Sequence, residues 1–538
     1  MNINISLILI AVVIICCIFL NKLTSKTALP MLVVFIALGM LFGSEGVFKI
    51  SFDNYHFAED ICSTALIFII FYGGFGVKWR EAKTVAAISV ILSSVGVIIT
   101  AFLTGMFCYF IMKMNFLESL LIGAVLSSTD ATSVFSILRS KKLDLKYRTA
   151  SVLELESGSN DPWAYMMTVI ILSIIRGNVT TGGVFSIIFS QIIFGIGIGI
   201  LISVLSMIVL KNIRFDTDGF NTLFVLATAI LSYAVPTFIG GNGYISAYIV
   251  GIVLGNTSIK NKPELVNFFD GITGFSQILI FFLLGLLATP TLMVPTIIPA
   301  LIILVFITLI ARPVAVFLSM MPFKFPFHGQ LLVAFSGLRG ATSIVFAILA
   351  VVDEAYTNSN LFHIVFSIVL ISIVVQGSLI PLVSRKLHMI DENENVLKTF
   401  NDYRDETEIQ FIKLNIKRHS SWAGMKIQDI TLPTGLLAVM IIRNDEKIIP
   451  KGSTVIMPND VMILGAEGFY DNTNLDLTEY TIFRKHKWKN KKISEIKIPN
   501  NGLVILIKRQ NNILIPNGKS TIKEDDVLVV MSAHKIKV

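Results

Sequence analysis

Along most of this chain apolar residues run on without alternation. Runs of about 18 residues or more, enough to carry a helix across a hydrocarbon core of roughly 30 Å, recur from the N-terminus to about residue 384 and then stop. The pattern predicts thirteen transmembrane helices, at 3–21, 28–44, 60–77, 84–112, 116–138, 149–175, 183–210, 220–239, 242–256, 265–287, 292–319, 328–352 and 361–383. The first run, Asn4 to Leu20, has no basic residue before it and no small-residue cleavage site behind it, so it reads as the first helix and not as a removable signal.

Beyond residue 384 the period changes. Shifting the chain by 66 residues against itself lays Trp422 on Trp488, Ile427 on Ile493, Pro433 on Pro499, Arg443 on Arg509, Pro450 on Pro516, Gly452 on Gly518 and Asp460 on Asp526 without a gap. Each copy has apolar runs, such as Leu437 to Ile442 and Val504 to Ile507, then a Pro and Gly turn and another run, which reads as short strands. The expected organisation is a transmembrane domain at 1–390, a polar linker at 391–405, and two tandem α+β modules at 406–472 and 473–538.

Composition agrees with a polytopic membrane protein: of 538 residues 54% are hydrophobic and 15% charged, too apolar for a soluble chain. The net charge of +8 would suit a nucleic-acid partner, but its distribution speaks for membrane orientation instead, and no nucleic-acid partner is expected. One set of alternating loops holds nearly all the Lys and Arg, from Lys22 through Lys78, Arg139, Lys146, Lys211, Lys262 and Lys324 to Lys386, and the other set has only Lys49, Lys113 and Arg176. Short loops that retain basic residues face the cytoplasm. The N-terminus is therefore expected outside and the tail inside. Cys16, Cys17, Cys62 and Cys108 lie in apolar runs, so neither a disulfide framework nor a thiolate metal site is expected.

Ionisable side chains within a bilayer are costly, roughly 2.5 to 3.5 kcal/mol on insertion scales, so those deep in apolar runs are candidates for function. The first cluster, Ser127-Ser128-Thr129-Asp130-Ala131-Thr132-Ser133, sits mid-way along the fifth helix, where hydroxyls and a carboxylate favour a local break. The second is Glu154-Leu155-Glu156-Ser157-Gly158-Ser159-Asn160-Asp161-Pro162 in the sixth. Helical spacing puts Glu154, Ser157 and Asp161 on one face, Glu156 and Asn160 on the adjoining one. The third, Gly337-Leu338-Arg339-Gly340-Ala341-Thr342-Ser343 in the twelfth, joins two glycines to a buried arginine and again suggests a break. A shift of 210 residues lays Ala131-Thr132-Ser133 on Ala341-Thr342-Ser343, as in inverted-repeat transporters whose broken helices frame a midplane site. Arg312 reads as a residue that snorkels from the eleventh helix, and Gly195, Gly197 and Gly199 as close-packing positions.

At these three motifs the chain resembles the NhaP-type monovalent cation/proton antiporters, among them the potassium/proton antiporters related to cell volume regulation protein A, with a tail similar to TrkA-C (RCK-C) modules. The resemblance implies a homodimer in the bacterial cell membrane. It makes Asp161 the carboxylate that binds cation or proton, puts Asn160 in the place of a second aspartate of electrogenic relatives, and has Thr129, Asp130 and Ser157 line the ion site, so that a monovalent cation sits at Asp161, Thr129 and Ser157. Arg339 would pair with Glu156 or stabilise the crossing. One cation would exchange for one proton. Hard oxygen donors suit K+ or Na+, and no His or Cys cluster suggests a transition metal. Similarity to other TrkA-C modules also suggests cyclic di-AMP as a ligand of the tail, beside a purely dimerising role. A gated cation channel with a ligand-sensing tail is the alternative. It is disfavoured because no carbonyl-lined filter motif appears. An intramembrane enzyme is disfavoured because no paired Asp or Ser-Lys arrangement is found.

Overall fold

The computed structural model describes the chain apart from residues 1–2, 25–30, 142, 144, 178–180, 214–217, 258, 260–261, 355, 357–359, 391–408 and parts of the tail (417–419, 421, 433–435, 444–445, 468–475, 484–485, 497–502, 510–511, 515, 525, 533–538). The expected linker at 391–405 lies outside the described residues. Two compact units form, Met1–Arg404 and Asp405–Val538.

The first unit is helical: α1 (Ile3–Thr24), α2 (Met31–Phe42), α3 (Tyr55–Gly76), α4 (Ala86–Phe110), α5 (Phe116–Val125), α6 (Ala131–Ser140), α7 (Thr149–Ile175), α8 (Thr181–Asn212), α9 (Asp218–Phe238), α10 (Gly243–Gly255), α11 (Lys262–Leu287), α12 (Pro290–Phe323), α13 (Phe327–Phe335), α14 (Ala341–Val352) and α15 (Asn360–Lys386). These are the thirteen expected spans, two of them split: α5 and α6 make the fifth, α13 and α14 the twelfth. Seven, namely α3, α4, α8, α9, α11, α12 and α15, are each long and apolar enough to cross a membrane. Helix α3 starts five residues earlier than its apolar run because the Asn54 side chain accepts a hydrogen bond from Phe57 N at 3.0 Å and caps a polar first turn. Gly195 and Gly199 of α8 do pack closely on α10, where an added Cβ would stand 2.9 Å from Asn242 O and 3.0 Å from Ser246 Cα, whereas Gly197 faces open space.

Three spans contain a π-helical turn: Leu92–Gly96 in α4, Ile307–Ala311 in α12 and Ser372–Gln376 in α15. Such expanded turns re-aim side chains and often mark working parts of a protein. Just past α15, Ile390 forms an antiparallel bridge with Leu145, and Lys146 N donates to Met389 O at 2.9 Å. The next two residues, Tyr147 and Arg148, have φ of 57° and 56°, and α7 begins directly after them.

The second unit holds two antiparallel sheets. Strands β1 (Ile409–Asn415), β2 (Leu436–Arg443), β3 (Glu446–Ile448) and β4 (Val461–Glu467) take the order β1-β4-β2-β3, and β5 (Asp476–Thr481), β6 (Leu503–Arg509), β7 (Asn512–Leu514) and β8 (Val527–Ser532) the order β5-β8-β6-β7. The bulge between Ala438 and Met440 recurs between Val504 and Leu506, 66 residues on. Arg443 grips Asp460 through two hydrogen bonds of 2.8 Å, and Arg509 grips Asp526 through two of 2.7 Å. The Arg443 bonds hold the Asp460 carboxyl below the usual carboxylate range. The sequence repeat is thus a repeat of sheet, bulge and ion pair. Burial of Ile441, Met462 and Leu464 in one sheet, and of Ile507, Leu528 and Val530 in the other, gives each its own small core.

Candidate functional site at two broken helices

Helix α5 stops at Val125 and α6 resumes at Ala131; α13 stops at Phe335 and α14 resumes at Ala341. The shift of 210 that aligns the Ala-Thr-Ser triplets therefore also aligns both ends of both breaks. Backbone groups released within a membrane must find partners inside the protein, and each broken span uses the other. Asp130 N donates to Leu338 O at 2.8 Å, the Arg339 guanidinium donates through Nη1 to Ser128 O at 2.9 Å, and the hydroxyls of Ser128 and Thr342 meet at 2.7 Å.

Neighbouring helices supply further partners. Ser157 of α7 accepts from Ala131 N at 2.9 Å and donates to Thr129 O at 2.7 Å, so one side chain straps the first break. In the π-helical turn of α15, Ser372 Oγ accepts from Arg339 N at 3.1 Å and Gln376 Nε2 donates to Phe335 O at 2.6 Å, which secures the second. Asp130 caps α6, accepting from Ser133 N at 3.2 Å and from the Ser133 hydroxyl. The matching position on the other chain segment is Gly340, where a Cβ would lie 2.4 Å from Asp130 Cβ. Only glycine lets the Asp130 side chain lie against that backbone.

Asp161 sits at this crossing. Its carboxylate accepts from the Ser128 hydroxyl and is 8% exposed. Asn160 and Thr129 are buried beside it: Asn160 Nδ2 donates to Thr129 Oγ1 at 2.6 Å, while Asn160 Oδ1 has no hydrogen-bond partner among the described residues. The five expected ion-site residues, Asp161, Asn160, Thr129, Asp130 and Ser157, are therefore brought together, although Asp130 and Ser157 also hold the break in shape.

The expected ion pair is different. Glu156 bonds to Arg312, and both side chains are 1% exposed. Arg339 turns instead to the carbonyl that the broken helix leaves open at Ser128. Nor does Arg312 snorkel: a Cβ on Gly337 would come within 2.9 Å of its Nε, so its guanidinium lies between Glu156 and the second break. Sequence reasoning passed over Arg312, yet its signal was the one used for Asp161, a charge inside an apolar run. Ser372 and Gln376 carried no comparable signal.

In electrostatic terms the crossing gathers three carboxylates, Asp130, Glu156 and Asp161, and two guanidiniums, Arg312 and Arg339. Fully ionised, the cluster sums to one net negative charge, and only Glu156 is bonded to a guanidinium. The donors around Asp161 are oxygens, which suit a hard monovalent ion, and among the described residues no three His, Cys, Asp or Glu come together as a metal site.

The chain was compared with known proteins. The family model for the sodium/hydrogen exchanger, transmembrane, matches residues 8–386, and the TrkA-C domain model matches 412–467 and 477–535. The K(+)/H(+) antiporter NhaP2 of Shewanella baltica is 32% identical over 457 residues, covering 84% of this chain and 79% of that protein. The K(+)/H(+) antiporter NhaP of Alkalimonas amylolytica is 32% identical over 466 residues, with 86% and 81% covered. The solved structure of the sodium proton antiporter MjNhaP1 from Methanocaldococcus jannaschii at pH 8 matches with a TM-score of 0.63 at 21% identity, covering 72% of this chain and 99% of that one. That likeness extends to the fold what the sequence matches establish for the lineage: the chain belongs to the sodium/hydrogen exchanger family.

Proposed function

We propose that this chain is a secondary active antiporter that exchanges one monovalent cation, K+ or Na+, for one proton, and that the two compete for Asp161. The observation that carries the reading is Asp161 itself, a buried carboxylate at the crossing with a hydroxyl and no guanidinium bonded to it, in a cluster whose fully ionised charge sums to −1. One proton neutralises it, and so does one monovalent cation. Both cannot bind, and an empty, charged site is costly to move through a low-dielectric core. Only loaded forms cross, so exchange is obligatory and needs no ATP.

Other residues support this role. Asn160 offers a buried carbonyl oxygen with no other partner, and being an amide it adds no second titratable group. Thr129, Ser157 and Asp130 keep lone pairs beyond the bonds they make and contribute the remaining oxygens. Glu156 and Arg312 cancel each other close by, and Arg339 fixes the break.

The named relatives favour K+, and the family description includes Na+. The basic loops orient the chain in a bacterial plasma membrane with the N-terminus outside and the tail cytoplasmic. We assign the TrkA-C modules a regulatory role, with assembly as a homodimer carried over from the resemblance. Cyclic di-AMP has no support from the comparisons, and no ligand is assigned to the tail.

The test is dissipation of an imposed pH gradient in everted vesicles with K+, Na+ or Li+ added in turn. Cation-dependent proton flux, unchanged when the membrane potential is clamped or imposed, is the expected outcome. Flux without proton coupling would point to a channel, and a rate that follows the potential would overturn the one-to-one ratio.

A further inference from the structure

The transport reading leaves Glu154 and one buried phenol unused. Glu154 shares the Asp161 face of α7 but lies seven residues away, about 10 Å along the axis at 1.5 Å per residue. That is too far for one ion to touch both. The turn between them carries Gly158, and the space a side chain would fill there is taken by Tyr248 of α10: a Cβ on Gly158 would stand 2.7 Å from Tyr248 Cε2 and 2.9 Å from its hydroxyl oxygen. The Tyr248 side chain is 7% exposed, and its hydroxyl has no hydrogen-bond partner among the described residues. Gly158 is four residues from Glu154 and three from Asp161, so the hydroxyl lies over the turn that separates them. A buried hydroxyl without a partner is costly, by about 1 to 3 kcal/mol, unless something else uses it.

We propose that the Tyr248 hydroxyl is a cation ligand on the path between Asp161 and Glu154, the intermediate oxygen that a partly dehydrated ion binds as it passes along α7. The proposal rests on the antiport reading and adds a specificity-determining residue to it. Gly158 is then required by function, since it lets the ring lie across the helix with the hydroxyl over the turn between the two carboxylate positions. A neutral hydroxyl suits this position. It can coordinate an ion without adding a charge that would hold it there, and its reach from a fixed ring discriminates by ion size.

The test is Tyr248→Phe in purified, reconstituted protein. The ring and its packing on Gly158 remain and only the oxygen is lost. Proton flux is measured against K+ and Na+ concentration. The expected result is a half-saturating cation concentration raised by about tenfold, the scale of one lost hydrogen-bond-like contact, with an altered K+ to Na+ ratio and a near wild-type maximal rate. Gly158→Ala, which displaces the ring, should raise the same constant. Unchanged half-saturation and selectivity in Tyr248→Phe would overturn the proposal at any maximal rate, because the ring stays packed and only the oxygen is lost. Wild-type protein that fails to couple cation to proton flux would overturn the antiport reading, and this inference with it.

Discussion

Asp161→Asn removes the group that can carry either a proton or a cation while keeping its shape and its contact with Ser128. Exchange should vanish in proteoliposomes although the variant purifies and melts like the wild type; residual coupled flux would take Asp161 out of the mechanism. A second expectation concerns Glu156. Removing one member of a buried ion pair strands the other, at a cost of about 3 to 5 kcal/mol in comparable pairs. Arg312→Ala should thus lower stability in detergent sharply, and Glu156→Gln in the same chain should recover part of the loss. The corresponding cycle with Arg339, which bonds the Ser128 carbonyl instead, should show the smaller coupling. The two motifs that hold the five oxygen-bearing residues were legible as polar groups inside apolar runs, while the roles expected of those residues came from the family resemblance. The partner of Glu156 was not legible. Arg312 is 156 residues away on another helix, and no period along one chain segment reports a contact of that kind.

The broken helices were legible as elements because their cause is local: hydroxyls, a carboxylate and glycines packed into otherwise apolar runs, with a triplet repeated at 210 residues. What each break needed from outside was not. The π-helical turn that brings Ser372 and Gln376 against the second break has no mark in the hydrophobic pattern, since one inserted backbone residue leaves an apolar stretch apolar. The asymmetry between the two counterparts, Asp130 on one and Gly340 on the other, yields a sharp expectation. Gly340→Ala would drive a methyl to 2.4 Å from Asp130 Cβ, so the crossing must open. Transport should fall by at least an order of magnitude, the scale expected when site geometry shifts by about 1 Å. Gly197→Ala, with nothing within 4 Å of its added carbon, should leave transport intact. Equal effects of the two substitutions in a vesicle assay would sink the idea that closeness at Gly340 matters.

For the chain as a whole, the 66-residue repeat was legible down to the residues that later prove to be paired, Arg443 with Asp460 and Arg509 with Asp526. Strand order was not, because hairpin and crossover connections share the same apolar alternation. Every charge assigned to transport lies before residue 391. Ending the chain near residue 395 should therefore preserve exchange and alter its dependence on pH or ligand, and deleting 473–538 alone should have the milder effect. Identical pH profiles and cation affinities in both truncations and the full chain would remove the regulatory role. The bridge between Leu145 and Ile390 gives such a role a route. It fastens the segment just past α15 to the residues that lead into α7, and the two residues before that helix are held in a conformation that costs about 1 to 3 kcal/mol each for non-glycine residues. The bridge registers the helix bearing Asp161 against the end of α15, and the expected consequence of breaking it is that the left-handed pair relaxes and α7 gains slack at its first turn, as when a latch is opened. A disulfide engineered at Leu145→Cys and Ile390→Cys would weld the latch, and the expected signature is a transporter whose pH response no longer changes when its tail is removed, with sensitivity returning on reduction.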